Sequence, residues 1–465
     1  MTHKRLFPLA LLLLCASTLQ AQAQNLDFAL ARRLAAERVD AIKVEAAETL
    51  KRENEAQSAR SLHGPKIALD AKQIWGRKTI DFGSVNIGSM LGSAGGNPAI
   101  GPIIQSLPPL DLSFEDDIGG PRAAVTAELP IYMGGAISAK IRAADEALYE
   151  SRARTQAKRD SIDTELAQKY FAVQLSRSIE RLRQDMLAQQ ELELKKALRF
   201  EKAGSISKLE RMAVEVNRDA AKRELLGAQT NRRVAESELA GLLREDAVGE
   251  LSSPLFVVTD DIGTLKSWQD KALGSSPLLK GVQAQRRQAE QGVTAAKAAW
   301  QPQVYAFAEY NLIKHYLTIP EPDWIAGIGV KFTLWDNKDR NASIAAANSL
   351  VSKAQAAHAE ASNRILTAVE TAYLKSSQAR EAYRLTDSTL ALAKENLRLR
   401  EKGFAEGLST ADDVNDARTK LVAAQIARRV AAYHFVVAWA MLHSVSGDMN
   451  SFEESVTRQT NIFEH

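Results

Sequence analysis

The sequence predicts a mainly α-helical, internally duplicated chain with a smaller β part of the kind that closes into a membrane barrel. Three observations predict it. Long stretches carry apolar residues at helical spacing, with no Pro or Gly to interrupt them. Shorter runs alternate apolar and polar residues with a period of two, as half-buried strands do. The two halves of the chain also match at one fixed offset.

The bulk numbers agree. Of 465 residues, 25% are charged and only 6% aromatic, which suits helices with small seams better than a large globular core. Lys4 and Arg5 precede an apolar run ending at Ala16, which is too short to span a bilayer, and small residues follow at Ala21 and Ala23. Residues 1–23 therefore read as a secretory signal. Its loss lowers the formal charge from +3 to +1, with no clustered basic face for nucleic acid. Cys15, the only cysteine, lies within this leader and follows Leu14 where a lipid-anchored chain would want a small residue, so the mature chain is expected to hold no disulfide. No other run approaches about 18 uninterrupted apolar residues, so entry into a membrane is expected by strands.

The first repeat is placed at residues 24–245. Residues 25 to about 62 read as helix until Gly64-Pro65 stops it. Ile67, Leu69 and Ala71 alternate with Ala68, Asp70 and Lys72, a strand with Trp75 near its far end. Residues 83 to about 117, rich in Gly, Ser, Asn and Pro, read as a long exposed loop that Gly119-Gly120-Pro121 closes. Alternation returns at Ala123, Val125, Ala127, Leu129 and Ile131, which makes residues 64–133 a long hairpin. After Gly134-Gly135 a helix pattern runs to Lys202, roughly 100 Å if continuous, and a rod of that length needs lateral partners. An elbow at Gly204 and a second helix to Leu243 follow.

Residues 246–265 read as an irregular connector. The second repeat, residues 266–446, begins with a helix ended by Pro302, then a hairpin at 301–336 with alternation at Ile328, Val330, Phe332 and Leu334. A helix from about 339 to 402 carries a seam of Ala354, Ala357, Ala361, Ile365, Ala368 and Ala372, small enough for close helix approach. The elbow Phe404-Ala-Glu-Gly407-Leu408-Ser409-Thr-Ala-Asp-Asp413-Val-Asn-Asp416-Ala-Arg418 comes next, then a last helix to about Val445 and a polar tail, 447–465. Tyr170 and Tyr373, Leu194 and Leu397, Gly204 and Gly407, and Leu239 and Leu442 all lie 203 positions apart. Tyr and Gly coincidences at one register weigh more than alanine matches in Ala-rich helices.

Four strands per chain cannot close a membrane barrel, whose small members have about eight, and an open edge in lipid is not viable. Several chains must share one barrel, and three would give twelve strands.

The ordered set of leader, two hairpins, paired long helices and repeat resembles the TolC-type outer-membrane efflux factors. Leu129-Pro-Ile-Tyr-Met-Gly-Gly135 and Leu334-Trp-Asp-Asn337 resemble that family's strand-to-helix joins, and the stretch from Gly407 to Ala417 resembles its tip motif. The resemblance covers essentially the whole mature chain. It implies a homotrimer with a shared twelve-stranded barrel in outer-membrane lipid and a periplasmic barrel of helical hairpins, forming a passive exit duct. It implies as partners a periplasmic adaptor, met at the tip by Gly204, Gly407 and Leu408, and an inner-membrane pump. Asp413 and Asp416 would line the entrance as stacked carboxylate rings, since residues three apart share a helix face. Phe404 and Ser409 stand where the family can carry a tyrosine and an arginine that latch the tip, and Glu210 matches the acidic partner. Without the hydroxyl and the cation the latch is expected to be weakened or different here.

Plainer readings stand beside these. Asp413 and Asp416 could serve only as charges near a helix N-terminus. Trp75, Tyr132, Tyr310, Trp324 and Trp335 form an interfacial belt or ordinary strand packing. His63, His315, His358, His434 and His443 lack ligand spacing, and the seven methionines do not cluster, so no metal or cofactor is expected. No catalytic constellation appears. An exit duct for protein secretion and a soluble periplasmic coiled-coil scaffold are the alternatives to an efflux duct, and the alternating hairpins count against the scaffold.

Overall fold

A computed structural model describes residues 25–85, 106, 108–315, 317, 321–458 and 462–464. The leader, Cys15 and the glycine-rich stretch 92–98 lie outside the described residues. The chain forms two compact units, each drawing on both sequence halves: residues 53–146 with 287–353, and residues up to 52 with 147–286 and 354–465.

The first of these contains the sheet. Strands β1 (Lys66–Val85), β2 (Leu110–Met133), β4 (Gln303–Asn311) and β5 (Trp324–Lys331) pair antiparallel in the order β1-β2-β4-β5. β1 and β2 are longer than their alternation predicts. The expected loop is strand to Val85 and again from Leu110, and Gly119-Gly120-Pro121 lies within β2, opposite Trp75, Ile74 and Gln73. Once a hairpin is in register, backbone pairing carries it through residues that lack an alternating pattern. β5 in contrast stops at Lys331, so Phe332 and Leu334 lie beyond the strand.

The register sorts the side chains. Ile67 and Leu69 of β1, Val125 and Leu129 of β2, Val304 and Tyr310 of β4, and Trp324, Ile328 and Val330 of β5 share one face. The other face carries Asp70, Lys72, Arg122, Thr126, Glu128, Glu309 and Lys331, with Thr126 Oγ1 donating to Asp70 at 3.1 Å.

Strand β2 joins helix α3 (Ala136–Lys202) through Gly134, at φ +64°, and Gly135, at φ +87°. A Cβ on Gly134 would lie 2.7 Å from Gln301 Cβ and 2.8 Å from the Ala298 carbonyl; one on Gly135 would meet open space. Gly134→Ala therefore combines left-handed strain with a backbone clash, and is expected to cost about 2 kcal/mol, against about 1 for Gly135→Ala. Heat-induced loss of β-ellipticity reads the difference, and equal costs would remove the clash from the account.

The second unit holds the core. Helices α1 (Phe28–Arg38) and α2 (Asp40–Arg60) replace the single expected helix, because Val39 takes extended backbone at the α1 C-cap. Phe28 packs edge-on against Tyr170 at 5.7 Å and Phe452 at 5.4 Å, and stacks on Phe171 at 5.7 Å. Tyr170 Oη donates to the Leu26 carbonyl at 2.6 Å and accepts from Ser253 N at 3.0 Å. The expected connector is more than irregular chain: Leu255–Val257 is a buried strand, β3. Its partner comes from the expected polar tail, which folds as helix α9 (Met449–Thr457) and strand β6 (Ile462–Glu464). Helices α5 (Leu265–Ser275) and α6 (Pro277–Lys297) complete this stretch.

Helix α4 (Lys208–Leu243) returns from α3, and α8 (Ala411–Val445) from α7 (Arg340–Ala405). Of the expected α7 seam, Ile365 and Ala372 are buried, continued by Val369, Ala379 and Tyr383, while Ala357 is exposed. Helix α8 is long and apolar enough in composition to cross a bilayer. Its Phe435, Val436, Trp439 and Leu442 are buried in the protein core, which accounts for that composition. His443 sits edge-on between Trp268 and Trp439. Its Nδ1 faces the Asp448 carbonyl at 3.0 Å and so carries the proton, and burial lowers its pKa to about 4, leaving it neutral.

Candidate functional site: the helical elbows

Both elbows are built the same way. At the first, Ser205 N donates to the Phe200 carbonyl at 2.8 Å and Gly204 N to that of Glu201 at 3.0 Å. At the second, Leu408 N donates to Gly403 O at 2.7 Å and Gly407 N to Phe404 O at 3.2 Å. These paired bonds form the Schellman stop, which needs a left-handed residue. Gly204 and Gly407 supply it at φ +69° and +75°.

The returning helices start alike. Ser207 and Thr410 are N-caps, and Glu210 and Asp413 reach back to close a capping box. Thr410 N and Oγ1 each donate to Asp413 Oδ2 at 2.9 Å, and Ser207 N donates to Glu210 Oε2 at 2.7 Å. These bonds, the backbone one first, hold both carboxyls below the usual range, so both are ionised at neutral pH. The caps lie 203 positions apart, as do the glycines. Glu210 is thus the structural counterpart of Asp413.

Asp413 Oδ1 lies 3.5 Å from Arg400, whereas Asp416 pairs forward with Lys420 at 2.8 Å, so the two carboxylates make separate contacts. Phe404 and Leu408 are exposed, by 50% and 79%. Ser409 packs against Gly403, where an added Cβ would lie 2.7 Å from its Oγ. Glu210 bonds to Ser207 and is not joined to Phe404 or Ser409 within the chain. Sequence reasoning did not find the ion pairs that staple each elbow, Arg211 to Glu201 at 3.2 Å and Arg418 to Glu401 at 2.9 Å. Nor did it find Gln190, which donates to Asn415 at 2.5 Å between the two hairpins. These meet only once the elbow angle is set, and no local pattern announces them. Among the described residues no group of three or more His, Cys, Asp or Glu side chains could hold a metal ion.

Comparison with known proteins fits this architecture. The model of the family described as outer membrane efflux protein matches residues 30–243 and 268–448. No curated protein sequence matches the chain. Among solved structures, a membrane protein from Pseudomonas aeruginosa superposes with a TM-score of 0.71 at 14% identity, over 90% of each chain. The outer membrane protein VceC of Vibrio cholerae gives 0.67 at 16%, over 91% of this chain and 96% of that one. The MtrE outer membrane channel of Neisseria gonorrhoeae, in an open state, gives 0.67 at 19%, over 91% and 89%. With the family model covering both helical hairpins, both sheet hairpins and both elbows, the chain belongs to the outer membrane efflux protein family, as a transport channel of the outer membrane and not an enzyme.

Proposed function

We propose that three copies of this chain close their sheets into one twelve-stranded barrel and their helical hairpins into a periplasmic tunnel. The assembly is the passive exit duct of a tripartite efflux pump. The observation that carries this is the sheet itself. Among the described residues its outer strands β1 and β5 are each paired on one side only, and one face is apolar across all four strands, with Trp324 65% and Ile328 72% exposed. Such a face suits lipid, and free edges in lipid require pairing with another copy. On that face Tyr310 lies directly across from Trp324, and Tyr132 across from Val304 six residues away, about 20 Å along the strand. That separation supports an interfacial belt of Tyr132, Tyr310 and Trp324. Trp75, mid-strand in β1, and Trp335, outside the strands, do not join it.

The helices support the same assembly. Leu385, Leu392 and Leu399 of α7 are exposed and seven residues apart, the spacing of a coiled-coil seam awaiting a partner helix. The matched glycines, caps and long helices support descent from a duplicated unit. The exposed elbow residues Phe404 and Leu408, with the turns at Gly204 and Gly407, suit contact with an adaptor, and the energy for transport comes from the inner-membrane pump. A heat-modifiable trimer in the outer-membrane fraction, conducting in planar bilayers, is the expected result; recovery of the chain in the soluble periplasm would overturn it.

In this assembly Asp413 and Asp416 form two anionic rings at the periplasmic entrance. Since Asp413 also caps α8, amides are the better test than alanines, because they accept the capping bonds without charge. Asp413→Asn with Asp416→Asn is expected to raise the cation concentration for half-block of the current by about tenfold. Unchanged block would remove both residues from the entrance.

A further inference from the structure

On the polar face of the sheet two aromatic residues stand directly opposite glycines. Tyr305 of β4 pairs with Gly329 of β5, and Phe307 with Gly327. The rings lie across the partner strand. A Cβ built on Gly329 would fall 2.6 Å from Tyr305 Cζ, 2.8 Å from its Oη and 3.0 Å from its Cε1. One on Gly327 would fall 3.2 Å from Phe307 Cζ and 3.3 Å from its Cε1. The two ring centroids are 6.1 Å apart, and both residues are half-buried, unlike the exposed Tyr310 and Trp324 of the other face. Glycine in a strand interior weakens the strand and often marks a close approach, and here the approaching groups are two large side chains.

We propose that Gly327 and Gly329 are recesses that hold the Phe307 and Tyr305 rings flat against the lumenal wall, so that these cross-strand pairs set the free width of the duct. The inference rests on the barrel reading above, which turns the polar face inward. Its physical content is separate from that reading. An aromatic side chain projecting from a strand stands roughly perpendicular to the sheet, and from three copies such rings would converge on the axis. The absent Cβ atoms let them lie down instead. Gly327 and Gly329 lack a positive φ, so space and not backbone conformation is what glycine provides there.

The test uses the full-length channel in planar bilayers, with polyethylene glycols of graded mass added on the sheet side. Polymers small enough to enter reduce the current, and entry from that side reports the barrel and not the helical tip. Gly329→Ala, whose Cβ alone displaces the Tyr305 ring, is expected to lower the largest admitted polymer mass by about twofold. Gly327→Ala, with its longer contacts, gives a smaller shift in the same direction. Gly329→Ala with Tyr305→Ala restores the wild-type limit. The inference is overturned if Gly329→Ala, run as an assembled trimer, admits the same polymers as the wild type, or if the double variant stays narrowed. A wild-type chain that forms no channel would instead overturn the barrel reading, and this inference with it.

Discussion

Phe452→Ala is expected to destabilise the helical core by about 3–5 kcal/mol, the range for truncating a buried phenylalanine whose site relaxes only partly. Phe452 is fully buried. Its ring meets Phe28 at 5.4 Å, Phe256 at 6.2 Å and His443 at 6.3 Å, and so ties the C-terminal helix to α1, β3 and α8. The effect should be local first. Amide exchange in α9 should accelerate, with α1 and β3 following and the sheet unaffected. Phe452→Leu keeps most of the volume and should cost about 1 kcal/mol. A loss below about 1 kcal/mol for the alanine variant would show that α9 adds little to the core.

The same residue shows where sequence reasoning stopped. Residues 447–465 read as a polar tail because Glu453, Glu454, Arg458 and Gln459 dominate the composition. Met449, Phe452 and Val456 nevertheless step by three and four, and all are buried. The helical signal was present but short. The run Leu255-Phe-Val-Val258 read as connector because its strand partner lies some two hundred residues away, and no local pattern reports such pairing. What was legible had local causes. The ends of α3 and α7 follow from glycines that only a left-handed turn requires. At the elbow the sequence located Asp413 and missed its first task. The spacing Thr410-x-x-Asp413 is itself a capping signature, so the ring proposed for the entrance is built from a carboxylate already fixed by its own helix.

Asp160→Asn is expected to stabilise the protein at neutral pH, by up to about 3 kcal/mol, and to leave it unchanged near pH 4. Asp160 is 4% exposed; Gln156 Nε2 donates to its Oδ1 at 2.9 Å, while its Oδ2 is buried without a hydrogen-bond partner. Burial raises its pKa from 3.8 to about 6, with the Asp163 carboxylate adding to the rise and Gln156, Arg32 and Arg159 opposing it. The sign follows from proton binding. Between pH 4 and pH 6 the unfolded chain releases this proton while the folded chain keeps it, so stability falls as pH rises through that window. Above pH 6 both states are ionised and the penalty is constant. Asparagine keeps the Gln156 bond and has no charge to bury, so the gain should grow from pH 4 to pH 6 and then level off. Arg32, one of the cations that act on Asp160, is already committed to Asp163 at 2.7 Å and to Glu453 at 2.6 Å, and so does not offset the burial of Asp160. Chemical unfolding of the wild type and variant at pH 4, 5, 6 and 7.5 traces the curve, and a gain independent of pH would show that packing, not charge, sets it.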